Sequence, residues 1–200
     1  MSSPDRHCSP DRHCVLLRHG DTDWSRSGRH TGRTDLPLLS EGEEQVVAQR
    51  GRLERYTFSL VLTSPLSRAL RTCELAGLGP SYEIDPDLLE WDYGSYEGRR
   101  TAEIREEWPG WNLFDNGAPG GEGVRDVGAR VDRVIARIRA APGDVACVAH
   151  AHVLRVLAAR WIGLDPSGGR FFVLGPAAVS VLGWEREHPV VRHWNELPGS

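Results

Sequence analysis

The order of apolar runs predicts a layered α/β domain. Three observations carry that expectation. Short, wholly apolar runs at Val15-Leu16-Leu17, Leu60-Val61-Leu62 and Val145 to Ala149 read as buried parallel strands. Longer segments with apolar residues at helical spacing separate them. The resulting order, strand-loop-helix-strand-helix and later helix-strand-helix-strand-strand, stacks helices on a sheet.

The elements follow in sequence. Val15 to Arg18 is the first strand, and residues 20–39, rich in Gly, Ser, Thr and Asp, read as a loop. Ser40 with Glu43 forms a capping box for a helix running to about Tyr56. Leu60 to Leu62 is a strand ending at Thr63-Ser64, and Pro65 opens a helix through about Ala76, stopped by Gly77 and Gly79. Tyr82 to Ile84 is a weak strand, and Thr101 to Trp108 a short helix before Pro109. Val127, Val131, Val134, Ile135 and Ile138 predict a long helix over 123–141. Val145 to Ala149 is a strand and Val153 to Ile162 a helix. Phe171–Leu174, Val179–Trp184 and Val190–Trp194 complete the sheet. Loops as long as 20–39 and 86–122 are unusual in a compact domain unless functional, so they are expected to form the rim or lid of a site.

Two hundred residues suit one domain with a substantial core. Residues 1–13, which carry the tandem repeat Ser3-Pro4-Asp5-Arg6-His7-Cys8 and Ser9-Pro10-Asp11-Arg12-His13-Cys14, are expected to be a disordered tail, and 14–200 a single domain. The His and Cys residues of the repeat lack zinc-finger spacing, so no metal is assigned to them. All 24 basic residues counted as Lys and Arg are arginine. Without lysine there is no Walker-A lysine for nucleotide phosphates and no lysine Schiff base. A net charge of −4 leaves no general nucleic-acid footprint, so any cationic pocket is local. No apolar run approaches membrane-spanning length, and the polar N-terminus lacks a signal core, so a cytoplasmic protein is expected.

Two of the strand-like runs deliver a histidine at their C-terminal ends, His19 and His150, with Arg18 beside the first and Arg68 following Thr63-Ser64-Pro65. Open α/β sheets place ligands at such strand ends. Two imidazoles and two guanidiniums converging there would hold a phosphoryl group, since arginine binds phosphate oxygens in a bidentate fork and a neutral imidazole can attack phosphorus.

The ordered motifs resemble those of the histidine phosphatase superfamily, which includes the cofactor-dependent phosphoglycerate mutases. Leu17-Arg18-His19-Gly20-Asp21-Thr22 is similar to its L-R-H-G-E-T signature. Thr31 to Leu38, Ser64 to Thr72, Glu90 to Gly98 and His150-Ala151-His152 resemble its later blocks, in the family order over roughly residues 14 to 185. The resemblance implies a three-layer α/β/α domain with a mostly parallel central sheet, phosphoglycerate mutase-like. It implies His19 as nucleophile, Arg18, Arg68 and His150 as phosphoryl-binding groups, and Glu90 as proton donor. Asp21, Asp92 and Glu97 are rivals to Glu90 in sequence; Leu88-Leu89 would bury Glu90. Ser25, Thr31, Gly32, Tyr93, Ala151 and His152 are expected to contact substrate, with a structural role for His152 equally open. Ser25 stands where most relatives have Asn, and Ala151 where they have Gly. Arg71 is expected to pair with Glu74 or Asp21. Trp91, Trp108, Trp111 and Phe114 fit either an entrance or a packed core.

The same chemistry serves a mutase, which returns the phosphoryl group to an acceptor, and a phosphatase, which gives it to water. Mutases of the family carry a longer insertion after the proton donor, and Trp91 stands where they have Arg. A phosphatase acting on a small phosphorylated metabolite is therefore preferred, closest in motif to the family's small acid phosphatases and sugar-bisphosphate phosphatases. No cofactor, metal, nucleic acid or membrane is expected, and a homodimer stays open. A catalytically silent phospho-ligand binding module on the same fold is the alternative of another class.

Overall fold

The computed structural model describes residues 12–199. Its centre is a six-stranded mixed sheet in the order β3-β2-β4-β1-β5-β6. The strands are β1 (Cys14–Arg18), β2 (Phe58–Thr63), β3 (Glu83–Ile84), β4 (Asp144–Ala149), β5 (Val179–Glu185) and β6 (His188–Glu196). β1, β2, β3 and β4 run parallel; β5 pairs antiparallel with β1, and β6 antiparallel with β5. The register sets Leu17 beside Val148, and Thr63 beside Val148 on the other flank. Three parallel strands therefore end level, and the residues after them, His19, Ser64 and His150, share one edge.

The helices are α1 (Asp23–Ser27), α2 (Ser40–Val47), α3 (Arg50–Leu53), α4 (Ser67–Leu75), α5 (Thr101–Glu107), α6 (Leu113–Asn116), α7 (Val124–Ala140) and α8 (Ala151–Trp161). Alternation along β1 explains the layering. Cys14 and Leu16 join a core cluster with Val131, Val134 and Leu157 of α7 and α8. Val15 and Leu17 join the opposite cluster with Val46 of α2 and Ala69 and Cys73 of α4. Both faces of the sheet are covered, as an apolar parallel strand requires.

Four expectations from sequence are corrected. The helix expected over 40–56 is two pieces, because the chain tightens at Ala48-Gln49 and the buried Gln49 amide turns inward to donate to the carbonyls of Ala177 (2.8 Å) and Glu196 (2.9 Å). Ser40 does not cap it; Leu39 holds the N-cap position without a side-chain bond. The 20–39 loop contains α1, capped reciprocally by the Thr22 and Ser25 hydroxyls. Phe171–Leu174 is not a strand. Asp165 caps a 3-10 turn over Pro166–Phe171, and the carbonyls that follow are taken by side chains: Val173 accepts from Trp194 Nε1 (2.6 Å) and Leu174 from Arg18 (2.6 Å).

Two close approaches fix the loop after β1. A Cβ on Gly20 would lie 2.2 Å from the Gly42 carbonyl oxygen, and one on Gly42 would lie 2.3 Å from the Asp21 oxygen, so α2 abuts this loop only because both are glycine. The 86–122 segment is pinned by Arg130 of α7. Its guanidinium pairs bidentately with Glu122 (2.8 and 3.0 Å) and donates to the Asp87 and Leu89 carbonyls. The Glu122 carboxylate also accepts from the Asp92 N–H, so one pair, with Arg130 buried and Glu122 half-buried, brackets Glu90 from both sides.

Removing one partner of a buried pair strands the other charge, at about 3–5 kcal/mol. Arg130→Leu should therefore lower the urea-unfolding free energy by about 3 kcal/mol. A loss under about 1 kcal/mol, the range of an exposed pair, would show that Arg130 does not anchor this segment.

Candidate active site

His19 leaves β1 with its backbone fastened on both sides: its N–H donates to the Ala149 carbonyl (3.0 Å) and its carbonyl accepts from Ala177 (3.0 Å). The side chain is 4 % exposed. Its Nδ1 lies 2.7 Å from the Gly20 carbonyl, which only accepts, so Nδ1 carries the proton and Nε2 is left with its lone pair. Burial, then Arg68 and Arg18, hold its pKa well below the ordinary histidine value, against a smaller opposing effect of the Gly20 bond. The ring is neutral near pH 7.

His19 lines a cavity of about 70 Å³ together with Arg18, Ser25, Thr31, Glu90 and Tyr93. Ala151 and His152 complete the same wall. Arg18 donates once, to Leu174, while its buried Nε has no partner. Leaving such a donor unsatisfied costs about 1–3 kcal/mol.

Arg68 and His150 stand behind His19 rather than in the lining. Arg68 is completely buried near the start of α4. It donates to the carbonyls of Thr34 (2.8 Å), Thr31 (3.2 Å) and Gly32 (3.0 Å), and through Nε to His150 Nδ1 (3.2 Å). That last bond makes Nδ1 of His150 an acceptor, so its proton sits on Nε2, 2.8 Å from Ser64 Oγ. The His19 and His150 rings meet edge to face at 5.1 Å. Burial, followed by Arg68 and His19, pushes the His150 pKa well down.

Glu90 is 3 % exposed and sits at the N-terminus of α8. Its Oε1 accepts from the N–H groups of Trp91 and Val153 (both 2.9 Å), and Oε2 from His152 (3.0 Å). It is the one carboxylate in the cavity lining among the described residues. The rivals are employed elsewhere. Asp21 accepts from Ser25 (2.8 Å) and Gln45 (3.1 Å), Asp92 accepts from the Gly94 N–H, and Glu97 binds the N–H groups of Gly32 and Thr34. Arg71 pairs with Glu43 and Glu74, not with Asp21.

The expected substrate contacts divide. Tyr93 O–H lies 2.7 Å from His152 Nδ1; burial, then Glu90 and Glu97, push the Tyr93 pKa well up, so the hydroxyl is the donor. His152 is neutral, lowered by burial first and then Arg155, and keeps its proton on Nε2. The Ser25 hydroxyl lies within donating reach of Asp21 and the Thr22 carbonyl, inside the α1 cap. Gly32 is buried, its N–H given to Glu97 and its carbonyl to Arg68. Arg29 and His30, which motif reading passed over, line the cavity as well. They directly precede the Thr31-Gly32 motif, the only signal that pointed their way. Of the aromatic residues, Trp91 is core, Trp108 is exposed, and Trp111 and Phe114 flank a neighbouring cavity.

The sequence profile of the family described as histidine phosphatase superfamily (branch 1) matches residues 14–197. The chain belongs to that superfamily. An acid phosphatase of Mycobacterium tuberculosis is 39% identical to it over 175 residues, 86% of either chain. The sedoheptulose 1,7-bisphosphatase of Saccharomyces cerevisiae is 38% identical over 183 residues, covering 75% of this chain and 67% of the yeast protein. A solved structure from Mycobacterium tuberculosis superposes with a TM-score of 0.89 at 35% identity, covering 94% of this chain and 98% of the other. This histidine phosphatase is an enzyme that hydrolyses phosphate monoesters, and a phosphohistidine mechanism is typical of its family. Among the described residues, no cluster of three or more His, Cys, Asp or Glu is arranged to hold a metal, and no helix is long and apolar enough to cross a membrane. His7 and Cys8 of the repeat lie outside the described residues.

Three buried histidines (His19, His30 and His150) and the half-buried His152 have depressed pKa values, that of His30 lowered by burial to about 4. The unfolded chain binds protons near pH 6.5 that the folded chain refuses, so stability is full above that pH and is lost as pH falls below it. Each such histidine adds a slope of about 1.4 kcal/mol per pH unit. Urea unfolding measured from pH 7 to pH 5 should show the loss, and His30→Gln should make it shallower by about one such proton. An unchanged slope in that variant would mean that His30 titrates normally in the fold.

Proposed function

We propose that this phosphatase acts on a small phosphorylated metabolite, with His19 as nucleophile and Glu90 as the group that carries the proton. One observation carries the reading: His19, whose Nε2 carries the lone pair, and Arg18, whose buried Nε has no partner, line the same small cavity. A nucleophile and an unsatisfied cationic donor there suit a phosphoryl group.

In the first step His19 Nε2 forms a bond to phosphorus and the ester P–O bond breaks. Protonated Glu90 gives its proton to the departing oxygen. In the second, water attacks the phosphohistidine, the N–P bond breaks, and Glu90 takes the water's proton. Arg18 binds the nonbridging oxygens throughout. Arg68 and His150 support the charge from the buried side, where Arg68 also keeps His19 neutral. Ala151, Thr31 and Tyr93 border the ester, and Ser25 acts by shaping α1. The arginines and histidines supply the positive charge that Mg²⁺ supplies in many phosphoryl-transfer sites, which supports a metal-independent reaction. Cys14, Cys73 and Cys147 are free thiols, which supports a reducing compartment such as the cytoplasm.

The test measures phosphate release from alkyl and aryl phosphates in the presence of a chelator. The wild-type protein should hydrolyse both. Glu90→Gln should slow alkyl phosphates about 10²–10⁴-fold, while aryl phosphates, whose leaving groups need little proton donation, should fall far less. Equal losses on both would mean that Glu90 only positions the chain. A strict need for divalent metal would contradict the metal-free step, and isomer exchange without phosphate release would indicate a mutase.

A further inference from the structure

The side chain of Arg18 is held by a single peptide group, and that group is gripped again from its other side. The guanidinium donates to the Leu174 carbonyl (2.6 Å), the one hydrogen bond this side chain makes among the described residues. The Gly175 N–H, across the same amide plane, donates to Asn195 Oδ1 (2.6 Å). We infer that Asn195 is a positioning residue for Arg18: by holding the N–H it aims the carbonyl that orients the guanidinium. Asn195 itself does not line the cavity. The inference rests on the phosphatase reading above, in which Arg18 binds the nonbridging oxygens.

A peptide group is planar, with its C=O and N–H pointing opposite ways, so fixing the direction of one fixes the other. The neighbouring peptide groups are fastened independently. The Val173 carbonyl accepts from Trp194 Nε1 (2.6 Å) and the Ala177 carbonyl from Gln49 (2.8 Å), while the Ala177 N–H donates to the His19 carbonyl (3.0 Å). None of these bonds touches the 174–175 plane. That plane can turn about the line between its two Cα atoms unless its own groups are held, and glycine at 175 resists such a turn least. The glycine is itself required by packing, because a Cβ there would lie 2.6 Å from Leu197 Cδ2. Asn195 restrains the freedom that this glycine brings.

Strand β6 is shaped to deliver the amide. Between the pairs Val179–Glu196 and Val181–His193 it uses one residue more than β5. A bulge of this kind re-aims a side chain. Asn195 sits within it at φ 59°, a left-handed conformation that Asn adopts more readily than most residues, and gives its own N–H to Ser180 Oγ (3.0 Å). From the Asn195 oxygen through the peptide to the guanidinium, the two bonds run in one direction, so each polarises and strengthens the other.

The experiment compares the wild-type protein with Asn195→Gly, Asn195→Ser and Asn195→Asp, each checked for folding by urea unfolding. Glycine keeps the left-handed backbone at 195 without strain and removes the acceptor. The serine hydroxyl is one bond shorter and falls short of Gly175, whereas aspartate keeps the acceptor. The readouts are kcat and KM for an alkyl phosphate and for 4-nitrophenyl phosphate, and the inhibition constant of inorganic phosphate. A guanidinium that has lost its aim loses a charge-assisted bond to the phosphoryl oxygens. Asn195→Gly should therefore raise the inhibition constant about tenfold and lower kcat/KM by at least as much. Both esters should lose by the same factor, because Arg18 meets the phosphoryl group and not the leaving group. Asn195→Asp should recover most of the loss, and Asn195→Ser repeats the comparison if the glycine variant does not fold. Wild-type values in a folded Asn195→Gly or Asn195→Ser overturn the positioning role and leave the phosphatase reading intact. So does an equal loss in Asn195→Asp, which would mark a residue that only stabilises β6. A wild-type protein that hydrolyses neither ester overturns both.

Discussion

A buried guanidinium holds this site together. Arg68 reaches from the first turn of α4 into a space with no exposure, where it meets three carbonyls of the 31–34 loop and one ring nitrogen of His150. Burying a charge is costly unless hydrogen bonds replace its water, and these partners use donors on all three of its nitrogens. The same loop is gripped from its amide side by the Glu97 carboxylate, at Gly32 and Thr34. A cation on the carbonyls and an anion on the N–H groups leave the loop little freedom to turn. Three segments far apart in sequence are thereby fixed around one imidazole, and His150 is locked in a single tautomer.

The second constraint is electrostatic. A chain with a net charge of −4 concentrates arginine around neutral histidines. Each imidazole is desolvated and faces guanidiniums, so its protonated form is disfavoured. The proposed nucleophile, His19, must be unprotonated, and here the fold arranges that without a neighbouring base. Glu90 is held by backbone donors instead. Helix α8 places two N–H groups on its oxygens and Trp91 a third, which fixes the direction of the carboxyl group at the cavity wall.

The parallel strands and the histidines and arginines gathered at their ends were readable because both depend on local pattern. A short apolar run followed by a polar motif marks a buried strand and what it presents. What could not be read depended on distant partners. Gln49 breaks a helix because carbonyls at 177 and 196 await its amide. Residues 172–174 join no strand; Arg18 and Trp194 take the carbonyls of Leu174 and Val173 that a neighbouring strand would need. α1 was missed because its reciprocal cap uses Ser25 in place of the Glu or Gln that marks a capping box. The same dependence applies inside the site. Motif resemblance names Arg68, Gly32 and Ser25, but only coordinates reveal that their donors are engaged by the protein, or that Arg29 and His30 face the cavity.

The central claim is that phosphorus is attacked by Nε2 of His19, because Nδ1 is tied to the Gly20 carbonyl. The most direct measurement is rapid quench during turnover of a ³²P-labelled ester, followed by peptide mapping and ³¹P–¹⁵N correlation on enzyme labelled in its histidines. A base-stable, acid-labile phosphate on His19, attached through Nε2, is the predicted result. Phosphate on Nδ1, on another residue, or on no residue during verified turnover would contradict it.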